Sequence, residues 1–393
     1  MKWYSALSRD GDLVAAARAV ADEVRDALDG VEPNLVLLFV SEEHAERYRE
    51  ASALLSSEFS TALLLGCTAR SVIGGADEAE EGPGLSVTVA SLPGVTLRPF
   101  HLDAGELPDP REAHAFWPEK LGAATSESPG FVILSDPFFF DVDGFIHGLD
   151  AAFPQSVKVG GVASAGRAPG ENALYIGTDV HRGGAVGVAF CGEIEIETVV
   201  SQGCRPIGQP MFVTRARENI LFEIDGRPAL PALEGLVESL SEEDQALARG
   251  SLFLGIGMDE NQGHFKMGDF IVRNLVGTDK ASGALVVGGL LRANQVVQFQ
   301  LRDAHTAAED LDLRLTKIAE GGVQAEAALL FSCLGRGAHL YGRPNHDSDA
   351  LRSHLGALPI GGFFANGEIG PVGGKTFVHG YTSVIALIRA PRS

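Results

Sequence analysis

The stretch "NLVLLFVSEEHAERYREASALLSSEFSTALLLGCTA", Asn34 to Ala69, decides the fold. In its opening segment, "NLVLLFVS", apolar residues run on without interruption. The run is too short for a long helix and is flanked by Pro33 and by charge, as befits a strand buried on both faces. The middle, "EEHAERYREASALLSSEF", has helical spacing, and "ALLLGCTA" reads as a second buried strand. "GLSVTVASL", starting at Gly84, alternates like a third strand. Upstream, "DLVAAARAVADEVRDAL" from Asp12 predicts an amphipathic helix stopped by Gly30.

This order recurs twice. Phe131 begins "FVILSDP", helical "VDGFIHGLDAAF" follows, "KVGGVASAGR" supplies a strand and a glycine loop, and "ENALYIG" the next strand. Ala327 begins "AALLFSCLGRG", followed by helical "SDALRSHLG", by "PIGGFFANGEIG" with its glycine loop, and by the closing strand in "FVHGYTSVIALI". Roughly thirty residues separate each strand start from its first loop glycine, a spacing that marks a repeated unit. A helix between two strands makes a parallel crossover, so the glycine loops are predicted to gather at strand ends.

Between the second and third copies lie strand-like "IEIETVVSQGCRPIGQPMFVTRARENILFEIDG" and helical "PALEGLVESLSEEDQALAR", then strand candidates "SLFLGIG", "DFIVRNLVG", "GALVVGGLL" and "NQVVQFQLRD". The expected fold is α/β (α+β): two sheet-based domains, residues 1–200 and 201–393, built from strand-helix-strand-loop-strand units.

Of 393 residues, 45% are apolar and 21% charged, a composition able to bury a core. A net charge of −21 repels phosphate backbones and anionic headgroups, so no nucleic acid partner is expected. No uncharged apolar window reaches ~18 residues and the N-terminus lacks a secretory pattern, so the expectation is a cytoplasmic protein without membrane insertion. The four cysteines stand far apart without CxxC, and no histidine pattern has metal spacing, so neither a disulfide framework nor a metal site is expected.

Glycines around Asn366, Gly367 and Glu368 would let backbone approach a ligand, with Glu368 reading an ammonium. Ser332, Cys333 and Arg336 leave a buried strand nearby. Arg336 offers a two-pronged carboxylate contact or an internal ion pair with Glu368. Arg273 interrupts an apolar strand and needs a partner, and His379 either faces a pocket or is structural. Cys333 and Cys204, the latter beside Arg205, would be nucleophiles only with a lowered pKa. Asp259, Glu260 and Asp269 form an acidic set of the kind that arises by chance in an acidic chain.

"GCTARSVIGG", "SQGCRPIG", "GDFIVRNLVG", "FSCLGRG" and "GGFFANGEIGPVGG" closing on "FVHGYTSVIAL" resemble, in order, the motif series of FIST proteins. The resemblance spans nearly the whole chain, with a FIST N-terminal domain to about residue 200 and a FIST C-terminal domain beyond. It implies a sensory module for a small molecule such as an amino acid, signalling through a separate partner such as a kinase or chemoreceptor. The family also includes haem-binding nitric oxide sensors, which gives one alternative, with His379 as axial ligand. The resemblance does not imply an established enzyme; an enzyme using Cys333 or Cys204 is an alternative carried by those residues alone, and no catalytic residue is expected.

Overall fold

The structure is a computed structural model that describes residues 1–75, 77–109, 111–259 and 262–391. Its helices and mixed sheets make the α/β architecture predicted from the sequence. Two compact units divide the chain. The first holds Met1–Val200, Asp312–Val378 and Thr382–Ser393, and the second holds Ser201–Leu311 and His379–Tyr381.

The first unit is built from three copies of one module. In the first, strands Leu35–Ser41 and Leu63–Ala69 pair in parallel around helix Tyr48–Glu58. In the second, Gly130–Ser135 and Lys158–Val162 flank helix Val142–Ala152, and in the third, Ala327–Cys333 and Ile360–Ala365 flank helix His346–Leu355. An antiparallel strand lies against each first strand: Leu85–Ser91, Ala185–Gly192 and Thr382–Arg389.

Each strand serves two apolar layers, which is why its sequence does not alternate. Leu35, Leu37 and Phe39 join a core shared with Val132, Leu134, Phe331 and Phe363 from the other modules. Val36, Leu38 and Val40 face the other way, packing with Val20, Val24 and Leu55 of the covering helices. Phe363 stands 5.0 Å from Phe39 and 5.7 Å from Phe331, ring centre to ring centre.

Each module carries a hairpin that pairs with a neighbouring module. The first module's hairpin, Val72–Gly75 with Asp77–Ala79, pairs with Ile360–Phe363 of the third. The second module's hairpin, Leu174–Ile176 with Asp179–His181, pairs with Leu65–Cys67 of the first. The third module's, Glu368–Val372 with Lys375–His379, pairs with Gly160–Gly161 of the second. The exchange closes a ring. Its glycines are required by close approach: Gly66, Gly160 and Gly362 hold equivalent places, and a Cβ there would come within 2.0, 1.8 and 1.9 Å of the carbonyls of Leu38, Ile133 and Leu330.

Ser164 ties the second-strand ends together. Its hydroxyl accepts from Arg70 N–H at 3.0 Å and donates to the Phe364 carbonyl at 2.5 Å, so one buried side chain joins three modules.

In the second unit, strand Val296–Arg302 pairs with Met211–Arg217 on one side and Leu252–Gly257 on the other. Ile220–Ile224, Ala284–Val287 and Phe270–Asp279 complete the circuit, so six antiparallel strands close a barrel. Val213, Leu221, Leu254, Leu285, Val297 and Phe299 fill it, and Ala229 and Leu233 from helix Ala229–Glu238 pack with them. Helix Ala304–Glu320, passed over in the sequence reading, carries the chain back to the third module.

Replacing Ser164 with alanine leaves a backbone donor and a backbone acceptor unmatched at the junction. The expected cost is about 1–3 kcal/mol, read as an earlier urea midpoint; an unshifted midpoint would show that the junction does not depend on this hydroxyl.

Candidate functional site

A cavity of about 1130 Å³ lies where the first module's hairpin meets the chain that follows the third module's first strand. Arg9, Arg70, Glu78, Glu80, Arg336 and His339 are on its wall.

Strand Ala327–Cys333 delivers Ser332, and the turn after it carries Arg336 into full burial. Helix His346–Leu355 places Asp347 and Ser348 in its first turn. Arg336 grips Asp347 with two parallel bonds, Nε to Oδ2 at 2.9 Å and Nη2 to Oδ1 at 3.0 Å. Ser332 Oγ donates to Oδ2 at 3.0 Å, and His346 Nδ1 lies 3.0 Å from Oδ1. The His346 ring stacks on Tyr341 at 3.4 Å, and the Arg336 guanidinium lies 5.5 Å from the Tyr341 ring centre. Burial alone would raise the Asp347 carboxyl, but the Arg336 charge and the bonds from His346 and Arg336 hold it well below the usual carboxylate range.

The opposite wall comes from the first module. Glu78 Oε1 accepts from Ser348 N–H at 2.8 Å and from Ser348 Oγ at 2.7 Å, so a carboxylate of one module caps the helix of another. Asn345 completes the clip, accepting from Glu78 N–H at 2.8 Å and donating to Asp77 at 3.2 Å. Glu80 Oε2 accepts from Ala338 N–H at 2.7 Å. Gly337, at φ 69°, makes that approach possible, because a Cβ there would lie 2.3 Å from the same oxygen. Burial first, then the Asp347 charge, pushes the Glu78 carboxyl up to about 7; burial likewise raises Glu80.

Three buried polar atoms of the residues that line this cavity have no hydrogen-bond partner among the described residues: Nη1 of Arg336, Oε2 of Glu78 and Oε1 of Glu80. Arg336 thus keeps an unused donor, and Glu78 and Glu80 each keep an unused acceptor.

Of the residues singled out in the sequence, Arg336 is on the cavity wall and Ser332 supports it through Asp347. The Arg336 partner is Asp347 rather than Glu368. Glu368 begins a hairpin strand, is fully buried, and accepts from Thr382 N–H at 3.1 Å. Asn366 and Gly367 form the two-residue link before it: Asn366 is exposed, its N–H donates to Val162, and the Gly367 carbonyl accepts from Val162. Cys333 is half-buried at a strand end. Arg273 and His379 belong to the second unit and do not line this cavity. Cys204 is buried there, and the neighbouring Arg205 is taken up by Asp303, at 3.1 Å, and by Asp244. Among the described residues no cluster of His, Cys, Asp or Glu suits a metal ion, and Glu260 lies outside the described residues.

The sequence reading passed over Glu78, Glu80 and Asp347. The signal for the glutamates was present in "ADEAEE", where acids two apart after a strand share one face. It was masked because acidic runs normally mark solvated surface.

Comparison with known proteins matches the FIST N domain to residues 34–227 and the FIST C domain to residues 229–371. An uncharacterised protein of Mycobacterium tuberculosis is 36% identical over 386 residues, covering 96% of each chain. One of Mycobacterium bovis is 35% identical over 379 residues, again covering 96% of each. F-box only protein 22 of Pongo abelii is 34% identical over 113 residues, 24% of this chain and 27% of that protein.

Glu78 gives the site a pH signature. Its carboxyl holds a proton up to about 7 when folded against 4.5 as the ordinary value, so the folded chain binds more protons between those limits. This contribution to stability is full below 4.5 and lost as pH rises through 7. Urea midpoints measured from pH 4.5 to 8 should fall with pH in the native protein and fall less in Glu78→Gln; parallel curves would contradict the assignment.

Proposed function

Because the chain belongs to the FIST family, whose domains are sensory small-ligand-binding domains of signal transduction, we propose that it senses a small zwitterion such as an amino acid. The ligand is taken in the cavity between Arg336 and the pair Glu78 and Glu80, and the signal passes to a separate partner such as a kinase or chemoreceptor. The supporting observation is the set of three buried, unmatched polar atoms, one cationic and two carboxylate, on residues that line one cavity.

A zwitterion answers both ends at once. Its carboxylate accepts from Arg336 Nη1, which Asp347 and the Tyr341 ring hold in place. Its ammonium lies between Glu78 and Glu80 and favours their ionised forms, so binding below about pH 7 expels the Glu78 proton. Ser332 donates to Asp347 and fixes the arginine rather than attacking the ligand. The cavity contacts the first module's hairpin and the third module's helix start, so an occupant tightens two modules together.

Calorimetry with a panel of amino acids should find a ligand whose affinity drops at least about tenfold in Glu80→Gln and Glu78→Gln, stays unchanged in Glu368→Gln, and weakens below pH 7. No saturable heat from any member, or equal affinity in native and Glu80→Gln protein, would end this reading.

A further inference from the structure

A second hollow, of about 780 Å³, is lined by Arg49, Arg167 and Arg182 together with Tyr48, Glu42 and Glu171. It has the same position within the ring as the first cavity. Residues 42–49 follow the first strand of the first module, and residues 165–171 and 182 flank the hairpin lent by the second module.

Its charges are arranged differently. In a chain with 52 acids against 31 bases, an arginine on a wall ordinarily finds a carboxylate. Here Arg49, Arg167 and Arg182 have no ion-pair partner among the described residues. The carboxylates present are engaged elsewhere: Glu171 accepts the N–H groups of Arg167 and Ala168 at 2.8 and 3.1 Å, and Glu42 faces Arg70 at 3.7 Å. Arg182 is half-buried and held among the described residues by one bond, Nη1 to the Asn172 carbonyl at 3.1 Å, which leaves most of its five donors unused. Its guanidinium lies 6.0 Å from the Tyr48 ring centre. Tyr48 is 2% exposed, and its hydroxyl has no hydrogen-bond partner among the described residues.

We propose that this hollow binds a small oxyanion, a carboxylate or phosphate, gripped by Arg182 and the Tyr48 hydroxyl and drawn in by Arg49 and Arg167. Burial pushes the Tyr48 phenol up, which keeps it a donor at neutral pH. The site is independent of the zwitterion reading, since no residue lines both hollows. Guanidinium groups without carboxylate partners suit the two-pronged geometry of these anions. The net charge of the chain opposes approach, so local arginine density must supply the attraction.

The test is calorimetry on the full chain at low ionic strength with two probes, inorganic phosphate and succinate. Saturable binding of at least one probe is expected, weakened about tenfold or more in Arg182→Gln and less in Arg167→Gln, whose exposed side chain can change without disturbing the fold. Glu80→Gln should bind the probe as the native chain does. Tighter phosphate marks a phosphorylated ligand and tighter succinate a carboxylate, and either result supports the site. Absence of saturable binding, binding unchanged in both arginine variants, or equal loss in Glu80→Gln would overturn it.

Discussion

The antiparallel pairing of Val72–Gly75 with Ile360–Phe363 is the contact on which the rest of the first unit depends. It closes the ring of exchanged hairpins, gives the edge strand Ile360–Ala365 a partner, and carries Glu78 to the first turn of helix His346–Leu355. A one-residue slip in that register would turn Glu78 to the opposite face and leave the helix N–H of Ser348 without its acceptor. Fold and site are therefore fixed by one set of backbone bonds, and the glycines that crowd the second strands are what allow those bonds to form.

The repeated crossover was legible in the sequence because strands sandwiched between two apolar layers cannot hide. "NLVLLFVS", "FVILS" and "AALLFSC" are runs that neither a surface strand nor a short helix would carry. The destination of each hairpin was not legible. "GCTARSVIGG" contains no sign that its second half pairs with residues near 360, since antiparallel pairing is carried by backbone groups common to every residue. The same gap hid the site. Arg336 stood out as a cation leaving an apolar strand, but its partner was sought on the glycine-rich segment, where Glu368 is buried in a strand, instead of on the next helix, where Asp347 sits. Helix Ala304–Glu320 was missed because its charged faces resemble a solvated linker, whereas Ala307, Leu311 and Leu315 are buried.

The two hollows show how one scaffold sets opposite electrostatics in equivalent places. At the first, the arginine is buried against an aspartate and the surplus is carboxylate, kept partly protonated by desolvation. At the second, the surplus is guanidinium on a more open wall. In both, the backbone supplies position and a few long side chains, lent by adjoining modules, supply the chemistry.

The exchanged hairpins also bear on how the chain is made. Ser5 Oγ donates to the carbonyl of Ile360, a partner 355 positions later. At a synthesis rate of ~5–20 residues per second, Val72–Gly75 waits roughly fifteen seconds to about a minute before its partner Ile360–Phe363 is made. Throughout the delay the Val72–Gly75 strand offers an unpaired, largely apolar edge, the kind of surface that recruits other nascent chains. A protein assembled this way is most open to mispairing during translation and least so afterwards, because Ile360–Ala365, the strand that seals the first module's edge, is made late in the chain.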